Sequence, residues 1–164
     1  MLAIVAGCGA SSAQIMAAKT AEYRAGGGQL LDLAIQAAQE KYRIGEVDGP
    51  GKRFITAAQF YNPEGGRESA GAGDVVQVLP GSVRVQFLVE IVEQGEVARV
   101  VVVPRTFQVV QGSPQPRELQ PDDPNLPPWV HGRVDALYVA IHERAKRFAT
   151  TTQVRPGTVA PQME

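Results

Sequence analysis

Between Ser82 and Val110 apolar and polar positions alternate. Val83, Val85, Phe87, Val89 and Ile91 are interleaved with Arg84, Gln86, Leu88 and Glu90. Successive side chains of a strand point to opposite faces, so this period of two predicts a strand buried on one side. Val97 to Val103 is denser in β-branched residues, as expected of a strand covered more fully. Glu93-Gln94-Gly95-Glu96 lies between the two, and its glycine tolerates the positive φ of a tight hairpin turn. A lone hairpin is marginal in water, so other segments must cover its apolar face.

Two segments carry the helical period instead. In Gln29 to Tyr42, Leu31, Ala34, Ile35, Ala38 and Tyr42 fall on one face, while Asp32, Gln36, Gln39 and Glu40 point away. In Trp129 to Ala149, Val130, Val134, Leu137, Ile141, Ala145 and Phe148 form a continuous stripe, and Pro127-Pro128 suits its entry. Arg43 to Val47 reads as a short extended segment, and Arg53 to Tyr61 as a strand. Both faces of that strand are partly apolar, so its buried side is left open. Asn62 to Asp74 reads as a glycine-rich loop, with a further strand beginning over Val75 to Leu79. Ala13 to Tyr23 reads as a short helix or as a lead-in ending in an edge strand, Thr20 to Arg24.

Gly112 to Pro128 holds six prolines in seventeen residues. That density favours polyproline II over a place in a sheet, and predicts a stiff strap from sheet edge to final helix. The element order predicts an α+β fold: a two-layer, mostly antiparallel sheet with two helices packed on one face. The organisation expected is a lipobox at 1–8, a tether over 9–20, an α+β domain over 21–149 with its strap at 112–128, and a frayed tail over 150–164.

Composition narrows the class. A chain of 164 residues, 44% hydrophobic and 20% charged, suits one folding domain with tails. The net charge of −1 and the singly scattered arginines lack the basic stripe of a nucleic-acid surface. Only Arg144 to Arg147 clusters, at a helix end where the dipole favours cations. The single cysteine, Cys8, allows no internal disulfide and no multi-cysteine metal site. No run of eighteen apolar residues is present to make a transmembrane helix.

Candidate chemistry is sparse. Gly26-Gly27-Gly28 before a helix lacks the Gly-Lys-Ser/Thr ending of a phosphate loop and reads as a turn. His142-Glu143 lacks the second histidine of a zinc-protease motif, because position 146 is lysine. His131 and His142 lie about three helical turns apart, ~16 Å, too far to share a metal, and both read as surface or cap residues. Asp122-Asp123 sits in the proline strap, where solvation explains it. No catalytic residue, cofactor or metal is therefore expected.

Val5-Ala6-Gly7-Cys8 resembles the lipobox of bacterial lipoproteins: an aliphatic residue, two small residues, then the cysteine whose thiol takes the diacylglyceryl group. Gly9 to Ala13 is small and polar, as suits a tether. Only seven residues precede Cys8 and none is basic, so the true start is expected upstream of Met1. The competing reading is a short buried strand with an inert thiol. The element order is similar in outline to the helix-grip domains of a lipoprotein of the outer-membrane β-barrel assembly machinery. The resemblance implies lipid on Cys8, anchorage in the outer membrane facing the periplasm (no aspartate follows the cysteine), and envelope-protein or cell-wall partners. It implies a non-catalytic binding or structural module. The alternative is a soluble cytoplasmic ligand-binding domain or small enzyme with a pocket between helices and sheet.

Overall fold

The alternation in the central stretch is realised as β4, Val83–Gln94, and β5, Val97–Gln108, paired antiparallel along their full length. The computed structural model describes residues 9–68 and 79–150. Gln94 faces Val97, which leaves Gly95-Glu96 as a two-residue turn. Gly95 at φ +64° occupies the first turn position, where a type II′ hairpin requires glycine. Val83, Val85, Phe87, Val89 and Ile91 are buried, whereas Arg84, Gln86, Leu88 and Glu90 are half-exposed on the opposite face.

Around this hairpin the sheet runs β1 (Ile44–Asp48), β2 (Arg53–Thr56), β4, β5 and β6 (Arg117–Leu119). β3 (Gln59–Tyr61) pairs β4 beyond the end of β2. All pairings are antiparallel. The protein is an α+β fold in two layers, sheet and helices. Among the described residues the helix layer has three members, not two: α1 (Ser12–Thr20), α2 (Gly27–Gln39) and α3 (Pro128–Ala145), the last followed by a 3₁₀ turn at Lys146–Phe148.

Of the two readings of Ala13 to Tyr23 the helix is the one realised, and it lies within the stretch expected as a tether over 9–20. The Ser11 hydroxyl accepts from the Gln14 amide at 3.2 Å, and the Gln14 side chain accepts from the Ser11 amide at 2.8 Å, a complete capping box. Ala18 is buried and Lys19 pairs with Asp135 of α3, so the folded unit starts at Ser12 and not at 21. The expected edge strand at Thr20–Arg24 contracts to one residue, Tyr23, bridging Ala98 and Ala149. α2 ends at Gln39, short of Tyr42, whose ring is nevertheless buried 5.0 Å from that of Phe87.

Two further departures have local causes. The single strand expected over 53–61 is broken at Ala57-Ala58, so the inward face passes from Phe54 and Thr56 to Tyr61. At the break the buried Thr56 hydroxyl accepts the Phe87 amide at 2.9 Å, a side chain standing in for a missing backbone partner. Thr56→Val keeps shape but strands that amide. It is expected to cost about 1–3 kcal/mol in a urea unfolding titration, and an unchanged midpoint would dismiss the substitute-partner role. The proline strap, for its part, does join the sheet. Arg117–Leu119, between Pro116 and Pro121, is free of proline and long enough for three residues of edge pairing with β5, with Leu119 buried. The strand expected at Val75–Leu79 lies outside the described residues, except Leu79 itself.

Candidate functional site

Cys8 lies outside the described residues, which begin at Gly9, two residues before the Ser11 cap. The glycine turn Gly26–Gly28 opens α2 and is occupied by the chain itself. Glu93, at the hairpin tip, accepts the Gly27 amide at 2.9 Å and pairs with Lys52. Lys52 first, and then that amide, hold the Glu93 carboxyl below the usual range. A carboxylate thus takes the anion position of this helix start.

The histidines separate. His131 is exposed, whereas His142 is half-buried, contrary to the expected surface role, because Nδ1 is 2.9 Å from the hydroxyl of the buried Tyr23. An open cleft of about 470 Å³ lies beside them, between α1, α3 and β5, with Glu22, Arg99, His142 and Thr150 in its wall. Glu22 and Arg99 pair with each other across it. Burial pushes the Tyr23 phenol up to about 12. A general acid needs a pKa moved toward neutrality, so this shift runs the wrong way for acid catalysis by Tyr23. The sequence carries no sign of this contact, since the partners lie 119 positions apart.

The charged groups singled out in the sequence are absorbed locally. Asp123 accepts from the Asn125 amide and pairs with Arg117, and these contacts, the amide foremost, hold its carboxyl low. Asp122 is exposed. Arg144 binds Glu40 and Lys146 pairs with Glu143 on the solvated side of α3. Among the described residues no group of three His, Cys, Asp or Glu could hold a metal ion, and no helix is long and apolar enough to cross a membrane.

The remaining surface feature is the sheet face turned away from the helices. Strand register places Ile55, Leu88, Val101 and Val103 side by side at its middle, all half-exposed. Phe60, Arg84, Phe107 and Glu118 form a row at one end, with the Arg84 guanidinium 4.4 Å from the Phe107 ring centre. Asp48, Arg53 and Glu90 form the corresponding row toward the other end. A shallow cavity of about 280 Å³ opens here against Glu46, Arg53, Leu88 and Arg105. The surface offers apolar contact framed by charge, which is chemistry for binding a macromolecular surface. No family model matches the chain, and no curated protein matches it.

Proposed function

We propose that this chain is a lipid-anchored protein of the bacterial envelope, held in the outer membrane through Cys8 and facing the periplasm, where it binds envelope protein or cell wall without catalysis. The observation that carries the proposal is the lipobox Val5-Ala6-Gly7-Cys8. The fold is consistent with it, because Gly9 and Ala10 alone separate the cysteine from the capped start of α1. At ~3.3 Å per extended residue, acyl chains on Cys8 would hold the domain within about 10–15 Å of the lipid headgroups. Each buried methylene contributes about 0.8 kcal/mol, so two or more chains anchor stably. The open sheet face supplies a binding surface on a domain so held.

The test is the intact mass of protein extracted from native membranes, wild type beside Cys8→Ala. The proposal expects a chain beginning at Cys8 with the added mass of a diacylglyceryl group, and a variant that lacks the modification and leaves the membrane fraction. A wild-type chain found soluble, unmodified and beginning at Met1 would sink it. The cleft beside His142 would then be the first place to look for a ligand.

A further inference from the structure

We propose that the open cleft between α1, α3 and β5 is a binding site for a free α-amino acid, its carboxylate taken by Arg99 and His142 and its ammonium by Glu22. The inference goes beyond the lipoprotein reading and holds whether or not Cys8 carries lipid.

The way the Arg99–Glu22 pair is made carries the argument. Nε and Nη2 of Arg99 both donate to one and the same Glu22 oxygen, Oε1. One edge of the guanidinium is thus committed to Glu22. The other edge, Nη1 with the second proton of Nη2, keeps the parallel donors that fork a carboxylate. Among the described residues neither Arg99 Nη1 nor Glu22 Oε2 has a hydrogen-bond partner, and the two side chains keep 49% and 30% exposure. His142 adds a third group. Its Nδ1 lies 2.9 Å from the Tyr23 hydroxyl, which has no other partner among the described residues, so the phenol proton is assigned to that bond. Neutral imidazole then carries its own proton on Nε2, and imidazolium carries one there too. In either charge state the ring edge turned from Tyr23, which His142 contributes to the cleft wall, is a donor.

These groups select the ligand by charge. Arg99 and Glu22 cancel, so the wall favours a molecule that is itself net neutral and shows both signs. A bare anion on Arg99 would stand against the Glu22 carboxylate, and a bare cation on Glu22 against the guanidinium. An α-amino acid carries ammonium and carboxylate on one carbon, and so matches two wall groups that already touch. Ala17, Ala21 and Ala149 complete the lining, and their short side chains leave room for the side chain of the ligand. The cleft volume of about 470 Å³ falls within the range of small-molecule sites. An exposed ion pair contributes little to folding, so neutral replacements of either partner are expected to fold.

The experiment is an NMR titration of the isotope-labelled full chain carrying Cys8→Ala, which removes lipid and thiol effects. The probes are the common free amino acids, together with the deaminated and decarboxylated analogues of whichever binds (propionate and ethylammonium for alanine). At least one amino acid is expected to shift the backbone amides of Ala17, Glu22, Arg99 and Ala149 saturably, with a Kd below about 1 mM. Each analogue should bind about tenfold more weakly, since each meets one like charge and leaves one wall group unmatched. Arg99→Gln removes the fork and should weaken the amino acid about tenfold. Glu22→Gln should weaken it similarly yet strengthen the carboxylate-only analogue, because the repelling charge is gone and both guanidinium edges are free. A merely structural ion pair would not give these opposite shifts. Thermal melts by circular dichroism check that each form is folded. If Arg99→Gln fails to fold, Arg99→Lys, which keeps the charge and loses the fork, takes its place and must also weaken binding. The proposal is overturned if no amino acid saturates these shifts below about 1 mM, or if the carboxylate-only analogue binds as tightly as the amino acid. Binding that the Arg99 or Glu22 replacement leaves unchanged overturns it equally.

Discussion

Replacing Arg133 by alanine is expected to lower the unfolding free energy by about 3–5 kcal/mol, although the side chain is only half-buried. Its guanidinium sits 4.3 Å from the Tyr61 ring centre and 5.3 Å from that of Trp129, and Nη2 donates to the Gly65 carbonyl at 2.8 Å. A hydrogen bond from a charged donor contributes about 1.5–3 kcal/mol. Cation–π contact adds about 0.5–2 kcal/mol, and the aliphatic stem adds packing. The contacts converge on one loop. Trp129 donates from Nε1 to Pro63 at 2.9 Å, and Gly65, at φ +88°, brings its Cα so close that a Cβ would stand 2.8 Å from the indole. Removing the guanidinium thus frees the loop as well as the helix face. The same group opposes the effect of burial on its neighbours: burial raises the Tyr42 and Tyr61 phenols, and Arg133 pulls each back. Urea titration of wild type, Arg133→Ala and Arg133→Lys checks this. Lysine keeps the charge but cannot stack and fork together, so it should recover less than half of the loss. An alanine variant within about 1 kcal/mol of wild type would show the cluster to be ornamental to stability.

Why that cluster escapes the sequence while the hairpin does not is a matter of range. The hairpin is legible because its cause is local: period-two alternation on both sides of a glycine the turn requires. The helices α2 and α3 are legible for the same reason, since Leu31, Ala34 and Ala38 on one and Val130, Val134, Leu137 and Ile141 on the other are buried as their spacing demands. Arg133, Trp129 and Tyr61 meet only once α3 has closed over the sheet, and no pattern around any one of them announces the other two. The break within 53–61 is hidden for a different reason. The alternation changes parity at Ala57-Ala58, so taken as one strand the segment looks partly apolar on both faces. α1 is readable in principle, because Ser11 followed three residues later by Gln14 is a capping-box pattern. The small, polar run Gly9 to Ala13 points instead to a tether, and Ala13 to Tyr23 reads equally as a short helix or a lead-in. The open sheet face is half legible: the polar positions of β4 are visible, but which residues stand beside them depends on the register of the neighbouring strands.

Tyr23 is the other residue whose substitution should be felt strongly, and its effect appears with rising pH. The phenol is buried, 1% exposed, bonded to His142 and pushed up to about 12. A pKa higher in the folded state than in the unfolded chain means that the folded protein holds the proton more tightly. The resulting stability is fully present below the unfolded pKa of about 10 and is lost as pH rises toward the folded pKa. A tenfold difference in proton affinity between the two states corresponds to about 1.4 kcal/mol. Wild type should therefore lose about 1 kcal/mol by pH 11 and approach a loss of about 2–3 kcal/mol above pH 12 from this group alone. The buried phenols of Tyr42 and Tyr61 contribute in the same direction, so the wild-type curve by itself does not isolate Tyr23. Subtracting the Tyr23→Phe curve does, because phenylalanine keeps the ring in the core and carries no proton. At neutral pH the variant should be less stable by about 1 kcal/mol for the lost hydrogen bond. With rising alkalinity the difference should shrink, cross zero and reverse, leaving the variant the more stable protein near pH 12. Urea titrations of both proteins from about pH 8 to 12, a window that spans the unfolded and folded pKa values, give the two curves. Parallel curves would mean that Tyr23 ionises as easily in the fold as out of it, and that the contact with His142 leaves its proton unguarded.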